Sequence, residues 1–376
     1  MNKCLVTKLN GVVDNSSILR IGEMRFYVSK VDSATDRTQG FAIKVNKPVT
    51  LEILGDGYFT NKELTSNLGK TITINQSNPN VFVSNNDVEI AILDKYSITN
   101  ILNYYIGMSG SSYSKNKKFD IEGLKYSTNI ATIQFQNSQV FGNIENISKL
   151  TNLTSMSLGA TNIEGDIKAL ANLSLLTYLA LNSTKVHGDI SSLASMTDLT
   201  YVDFIFTQVS GDIRAFSKLT KLTTIRMYGT NVSGDINALS NLSKLQYCIT
   251  PNCRGNISAL SGLGELKEFS SNDSYVFGDL AKLPSSFYAF EAINNKGTGF
   301  TWSSRASSSN IISINGSPKI ENIDKMLQDL AQCQAAIPDK TGTYNVISAI
   351  GARTSASDAA VQTLQSKGYT VSITPA

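Results

Sequence analysis

One histidine, one tryptophan, four cysteines and seven prolines are all that 376 residues contain of these types. Each scarcity excludes a class of protein. With His187 as the only imidazole, any histidine-based triad or dyad must be built on it. It stands beside Gly188 at a variable position, where a structural or surface side chain is expected. Four cysteines cannot form a disulfide scaffold in a chain of this length. Cys4, Cys248, Cys253 and Cys333 are read as free thiols, and without a neighbouring histidine or a second cysteine pair they make no zinc site. Proline and glycine together number 33, too few for a collagen or a linker protein. Charged residues are 17% and the net charge is +3, so there is no electrostatic case for nucleic acid. No apolar run approaches the ~18–20 residues of a membrane span. The start, Met1 to Leu9, lacks the ~7–15-residue apolar core of a secretory signal, so a chain made and folded in a reducing cytosol is expected. No Gly-x-Ser-x-Gly elbow, phosphate-binding glycine loop or His-Glu-x-x-His pair occurs. The chain is therefore read as non-enzymatic, with no cofactor, metal or catalytic residue.

What is abundant points elsewhere. Ser, Thr and Asn number 46, 32 and 34, and these are turn and strand residues more than helix residues. Apolar content of 41% is enough for a sizeable core. The triplet Gly-Asp-Ile, or a close variant, recurs at Gly142, Gly165, Gly188, Gly211, Gly234, Gly255 and Gly278, with spacings of 23, 23, 23, 23, 21 and 23. A period held this tightly marks a stacked repeat. One unit reads Leu176-x-x-Leu179-x-Leu181-x-x-Thr184-x-Val186-x-Gly188-Asp189-Ile190-x-x-Leu193. The following units keep the slots with Leu199, Val202, Phe204, Thr207 and Val209, then Leu222, Ile225, Met227, Thr230 and Val232.

These units resemble leucine-rich repeats, whose pattern is Leu-x-x-Leu-x-Leu-x-x-Asn/Cys-x-Leu. Thr stands where the family has Asn, except at Cys253 and Asn295. The resemblance covers roughly residues 119–300 and implies an α/β-type solenoid with a parallel sheet. Leu-x-Leu alternates as a short strand does, and stacked units would pair these strands ~4.8 Å apart. The turn threonines are expected to cap backbone groups with their hydroxyls. Glycine before Asp suits a tight bend.

The flanks differ. Residues 1–100 hold short alternating runs, among them Phe41–Val45, Val49–Leu54 and Val88–Leu93, separated by turn signals. They predict an all-β, sandwich-like N-terminal module that anchors the chain, with 101–118 as the junction. Residues 301–376 predict a β-α-β C-terminal cap that covers the open sheet edge. Its first helix is expected over 317–334, with Ser317 as N-cap and Pro318 at the first helical position. A second helix is expected from Ser355 or Ser357 to Lys367-Gly368, and a last strand over 369–374.

Two sets of side chains are candidates for function. Asp166, Asp189, Asp212, Asp235 and Asp279 line up one per coil. They form either a cation ladder or, as favoured, a series of turn caps. The second set lies on the concave strand surface, where the residues between the leucines face out. There Tyr178, Tyr201, Tyr228 and Tyr247 stand with Asp203 and Arg226 on adjacent strands. Tyrosine with arginine is the composition of binding hot spots, although tyrosine ladders also simply favour strands.

Fold does not fix function. The stretches Leu5–Gly11, Gly22–Met24 and Thr354–Ala360 resemble structural proteins of bacteriophages that infect gut bacteria. That resemblance implies a virion component, head or tail-fibre-like, made in the host cytoplasm. Its N-terminal module would join other virion proteins, and its repeat face would bind a host surface protein or glycan. The alternative is a bacterial cell-surface or secreted adhesin. An intracellular regulator or enzyme subunit ranks last.

Overall fold

The computed structural model describes the backbone of eight strands between Met24 and Asp120, and residues 121–125, 128–137, 139–334 and 345–375. The chain forms two compact units, Met1–Leu176 with Ser183–Val186, and Thr177–Asn182 with His187–Ala376.

One coil of the second unit shows why the repeat folds as it does. Strand Tyr201–Asp203 presents Val202 inward, and Phe204 follows it into the core. Phe206 then turns the chain in the left-handed region, at φ 55°. Thr207 closes the turn, its hydroxyl donating to the Phe204 carbonyl at 2.7 Å. A second strand, Gln208–Asp212, buries Val209, and a 3₁₀ turn, Ile213–Phe216, buries Ile213 and Phe216. Leu219 and Leu222 complete the inward set. The same hydroxyl-to-carbonyl bond is made by Thr161, Thr230 and Ser274.

Each coil thus has two strands rather than the one read from Leu-x-Leu, and the coils stack them into two parallel sheets. In the second unit the first strands pair in register as Tyr178, Tyr201, Thr224, Tyr247, Glu268, Ala289 and Ser313. The second strands pair likewise. The first unit repeats the arrangement, with Thr132–Gln134 against Ser155–Ser157, and Lys117–Asp120, Gln139–Asn143 and Asn162–Asp166 in order. The α/β expectation is corrected for the coils. Two strands and their turns leave four residues for the return, enough for a 3₁₀ turn but short of an α-helix.

The Gly-Asp pair does more than bend the chain. Each Asp or Asn is the N-cap of a 3₁₀ turn and accepts a backbone N–H two residues on, as Asp212 does from Arg214 at 2.8 Å. Its Oδ1 also fills the place that a side chain on the next coil's glycine would occupy. A Cβ at Gly234 would lie 2.7 Å from Asp212 Oδ1, and one at Gly255 equally close to Asp235 Oδ1. Gly234 has φ +135° as well. Carboxylate and glycine are therefore a matched pair between successive coils.

The 21-residue spacing from Gly234 to Gly255 marks a shortened coil. Cys248 pairs with Ile225, and Cys253 pairs with Gly234, as Val232 does with Gly211. Cys253 therefore fills the valine slot of the second strand and is not the turn residue, which the shortening removes. Thr250 takes the core slot that Met227 fills one coil earlier, and Ser271 takes it one coil later. Both hydroxyls are buried without a good hydrogen-bond partner, Thr250 having only the weakly bonding thiols of Cys248 and Cys253 beside it. Burial raises both thiols, Cys253 to about 11. Cys248, Cys253 and Cys333 are free and buried.

The N-terminal strands are antiparallel. Lys117–Asp120, Met24–Val28, Val88–Ile92, Val49–Ile53 and Thr71–Ile74 follow one another in one sheet. Ile98–Tyr105, Gln39–Val45 and Asn80–Phe82 form another. Both run on into the parallel strands of the first unit, through Lys117–Asp120 with Gln139–Asn143 and Ile98–Tyr105 with Thr132–Gln134. The side-chain core of the expected sandwich, and residues 106–116 of the expected junction, lie outside the described residues.

At the other end the tail extends the first sheet by Val346–Ile350 and Thr370–Thr374, with helices Ile323–Gln332 and Asp358–Ser366 between strands. Thr370–Thr374 is then the last strand, so the tail moves the sheet edge outward rather than covering it. The first helix starts later than expected. Ser317 is left-handed at φ 49°, and Lys319 and Ile320 make parallel bridges to Ile350 and Phe300. Ile320 shares the buried face of Ile323, Met326 and Leu330, so the apolar spacing runs past the true helix start. Arg305 locks this region. Its buried guanidinium donates to the carbonyls of Leu283, Pro284, Phe287 and Asn310.

Candidate binding face

The first sheet of the second unit carries five of the six side chains singled out from the sequence, and Tyr228 stands on the turn that follows Arg226. The register sets Tyr178 beside Tyr201 and Asp203 beside Arg226. The Tyr178 and Tyr201 rings stack with centroids 4.4 Å apart and planes within 9°. The Tyr201 hydroxyl donates to Asp203 Oδ2 at 3.3 Å, and the Ile205 amide donates to Asp203 Oδ1 at 3.0 Å. Arg226 Nε lies 3.7 Å from Asp203 Oδ2, an ion pair longer than a hydrogen bond. Tyr247 lies farther along the same column, with the Lys267 ammonium 5.7 Å from its ring centroid. Tyr228 follows Arg226 on the turn and is exposed.

One expectation is corrected here. The column of outward slots that holds Asp203 and Arg226, expected to face solvent, is mostly covered. Ser157, Ala180, Asp203 and Ser270 are all buried. Asp203 is consequently not a surface charge. Its side chain is 7% exposed against 41% for Arg226, so the charge that reaches solvent at this point is positive.

The electrostatics follow from that burial. Partial burial, with Asp203 and Tyr178 nearby, pushes the Tyr201 hydroxyl up to about 12. Tyr201 therefore remains a neutral donor at any physiological pH. Burial works against the Arg226 charge, but Asp203, Tyr201 and Glu268 outweigh it and hold the guanidinium above its ordinary value.

Phe206 was missed by the sequence reading and belongs to the face. It packs edge-on against Tyr228, centroids 5.4 Å apart, and is 59% exposed. Its left-handed turn slot is held in other coils by Asn137, Ala160, Ser183, Gly229, Asn252, Asp273 and Asn294. A bulky residue in that conformation is strained by roughly 1–2 kcal/mol. Gly229 leaves room for its ring, since a Cβ there would lie 2.6 Å from Phe206 Cδ1. The signal was in the sequence as one aromatic in a column of small and polar turn residues.

The other candidates resolve as structural. The acidic column is spent on capping. Asp166, Asp189, Asp235 and Asp279 accept from Lys168, Ser191, Asn237 and Ala281 at 2.7–3.0 Å. Arg214 bonds the Asp212 side chain at 2.9 Å and holds its carboxyl below the usual range. Among the described residues no three His, Cys, Asp or Glu side chains gather where they could hold a metal ion. His187 is exposed, as expected. No helix among the described residues is long and apolar enough to cross a membrane.

No family model matches the chain, and no curated protein matches it by sequence. Solved structures do. Internalin C2 of Listeria monocytogenes is 22% identical, over 53% of this chain and 82% of its own, with a TM-score of 0.38. The plant peptide hormone receptor RGFR1, solved in complex with RGF2, is 20% identical over 68% of this chain, with a TM-score of 0.51. This chain spans 45% of that receptor's length. A TDR receptor is 15% identical over 68% of this chain and 53% of its own, with a TM-score of 0.46. At these identities the likeness is one of fold, a leucine-rich repeat solenoid with parallel strands.

Proposed function

We propose that this chain is a non-enzymatic binding protein of the cell-surface or secreted adhesin kind, whose first-sheet face from Tyr178 to Tyr247 docks a protein partner. One observation carries the reading. Rings of Tyr178, Tyr201 and Tyr247 on the sheet are half-buried, and those of Phe206 and Tyr228 on the turns after it are exposed, all on successive coils with Arg226. Rigid aromatic anchors give large contact area at little entropic cost. The fold relative RGFR1, seen with RGF2 bound, supports a binding rather than a chemical use of such a solenoid. In this reading the recognition coils fall within 119–300, with 1–100 as anchor, 101–118 as junction and 301–376 as a tail that extends the sheet.

No family model or curated relative supports the virion reading. Leu5–Gly11 and all but Met24 of Gly22–Met24 lie outside the described residues. Thr354–Ala360 serves the local fold, since Thr354 and Ser357 bond Asp324 and open the last helix. Binding to intact cells and to immobilised glycans, compared for the wild type and Tyr201→Ala/Tyr228→Ala, tests the proposal. Protease-sensitive cell binding that the double variant loses is expected. Binding that survives both substitutions would remove this face, and binding to glycans alone would replace the protein partner by a carbohydrate.

A further inference from the structure

Resting on that reading, we infer that the partner presents an acidic side chain to Arg226 and, close beside it, an apolar side chain to the Phe206–Tyr228 ridge.

Part of the charge on this face is already consumed. Asp203 is buried and receives the Tyr201 hydroxyl and the Ile205 amide, so its negative charge is spent inside the protein. Arg226 is only partly engaged, by the Tyr201 side chain and the Asp203 charge. Its Nε is buried and makes no hydrogen bond, and its ion pair to Asp203 is a long contact. Asp203 therefore orients the guanidinium without saturating it. The other charges of the neighbourhood are engaged or off-centre. Lys267 donates to the Gln246 side chain at 2.9 Å and lies over Tyr247, while Glu268 sits beyond Tyr247 in the register. Glu265 is held by Gln246. At the centre of the patch the accessible charge is a guanidinium, a group that matches a carboxylate in two-toothed geometry. The apolar contact is fixed by the backbone. Tyr228 follows Arg226 by two residues, about 7 Å along an extended chain, and Phe206 packs on it. A partner segment with Asp or Glu within three positions of an aromatic or aliphatic residue satisfies both.

Selection from a displayed library of random twelve-residue peptides on the full chain tests this. Peptides retained by the wild type and lost by Tyr201→Ala/Tyr228→Ala are then synthesised. They are expected to be acidic. Replacing their carboxylate by its amide should weaken binding about thirtyfold, the size of an ordinary hot-spot truncation. The same replacement should change nothing on Arg226→Gln. Because that variant strands the buried Asp203, Asp203→Asn/Arg226→Gln is measured alongside it. Arg226→Lys, which keeps the charge but loses the fork, should fall between. Neutral or basic peptides that still depend on the tyrosines would overturn the inference and leave the binding face intact. Failure to select any tyrosine-dependent peptide would overturn both.

Discussion

The first sheet of the second unit uses one set of repeat slots in two ways. From Tyr178 to Ile249 the outward slots hold stacked rings, a buried aspartate and a guanidinium whose Nε is unbonded. From Glu268 to Asn315 the same slots hold a closed polar network. There Glu291 accepts from Ser270, Asn272 and Asn315, and Asn272 in turn accepts the Ile293 amide at 2.8 Å. Satisfied polar groups have little to offer a ligand, because any new bond must first displace an old one. The comparison teaches that the backbone repeat is neutral about function. On the proposed reading, what distinguishes a binding half from a structural half is whether its polar groups are consumed at home.

The sharpest way to break this contrast is at Arg305, where the structural half ends. Arg305→Met keeps the aliphatic stem but strips four carbonyls of their donor, and should cost about 3 kcal/mol or more by chemical denaturation. A loss under 1 kcal/mol would mean that these carbonyls find water. Glu291→Ala should cost less, about 1–2 kcal/mol, by orphaning the amides of Asn272 and Asn315.

Phe206 tests the other half with opposite signs. Phe206→Asn places in the left-handed slot a residue type that other coils use there. It should raise stability by about 0.5–1 kcal/mol while weakening partner binding. A variant that loses both would show that the ring is an ordinary packing residue.

Acid provides a further handle. Although burial raises Asp329, bonds from Lys325, the Trp302 indole and the Arg305 amide outweigh it and hold its carboxyl below the usual range. Asp324 is likewise lowered, first by Ser357 and then by Thr354. Stability from depressed carboxyls is present above their unfolded values near pH 4 and is lost as pH falls through the folded ones. Trp302 is the only tryptophan, so its fluorescence should report loosening of the C-terminal region below about pH 4, and Asp329→Asn should flatten that transition. The smallest expected effect is at Thr250. Thr250→Val replaces a buried, poorly bonded hydroxyl by a methyl and should leave stability unchanged or raise it by about 0.5 kcal/mol.

Much of this was legible in the chain itself, and the exceptions share a cause. The glycine period, the inward slots such as Leu199, Val202 and Phe204, the hydroxyl caps and the aspartate caps all depend on local spacing, which a sequence displays. The second strand did not show because Val209-x-Gly211 alternates over only a few residues, too short to stand out as a strand. Cys253 was assigned one slot early because a two-residue shortening can be absorbed on either side of a turn. The burial of Asp203 depends on what packs about it in the folded sheet, and the start of the first helix on bridges to Ile350 and Phe300. These are tertiary facts that local pattern cannot carry.

The claim that one half of this face binds and the other half holds the fold can be put to a single comparison. Affinity for a partner or selected peptide is measured side by side for the wild type, Tyr201→Ala/Tyr228→Ala and Glu291→Gln, each at a temperature where all three are folded. The expected result is a loss of about thirtyfold for the tyrosine pair and less than about twofold for Glu291→Gln. Equal losses, or a larger loss at Glu291, would contradict the division of the face into two halves.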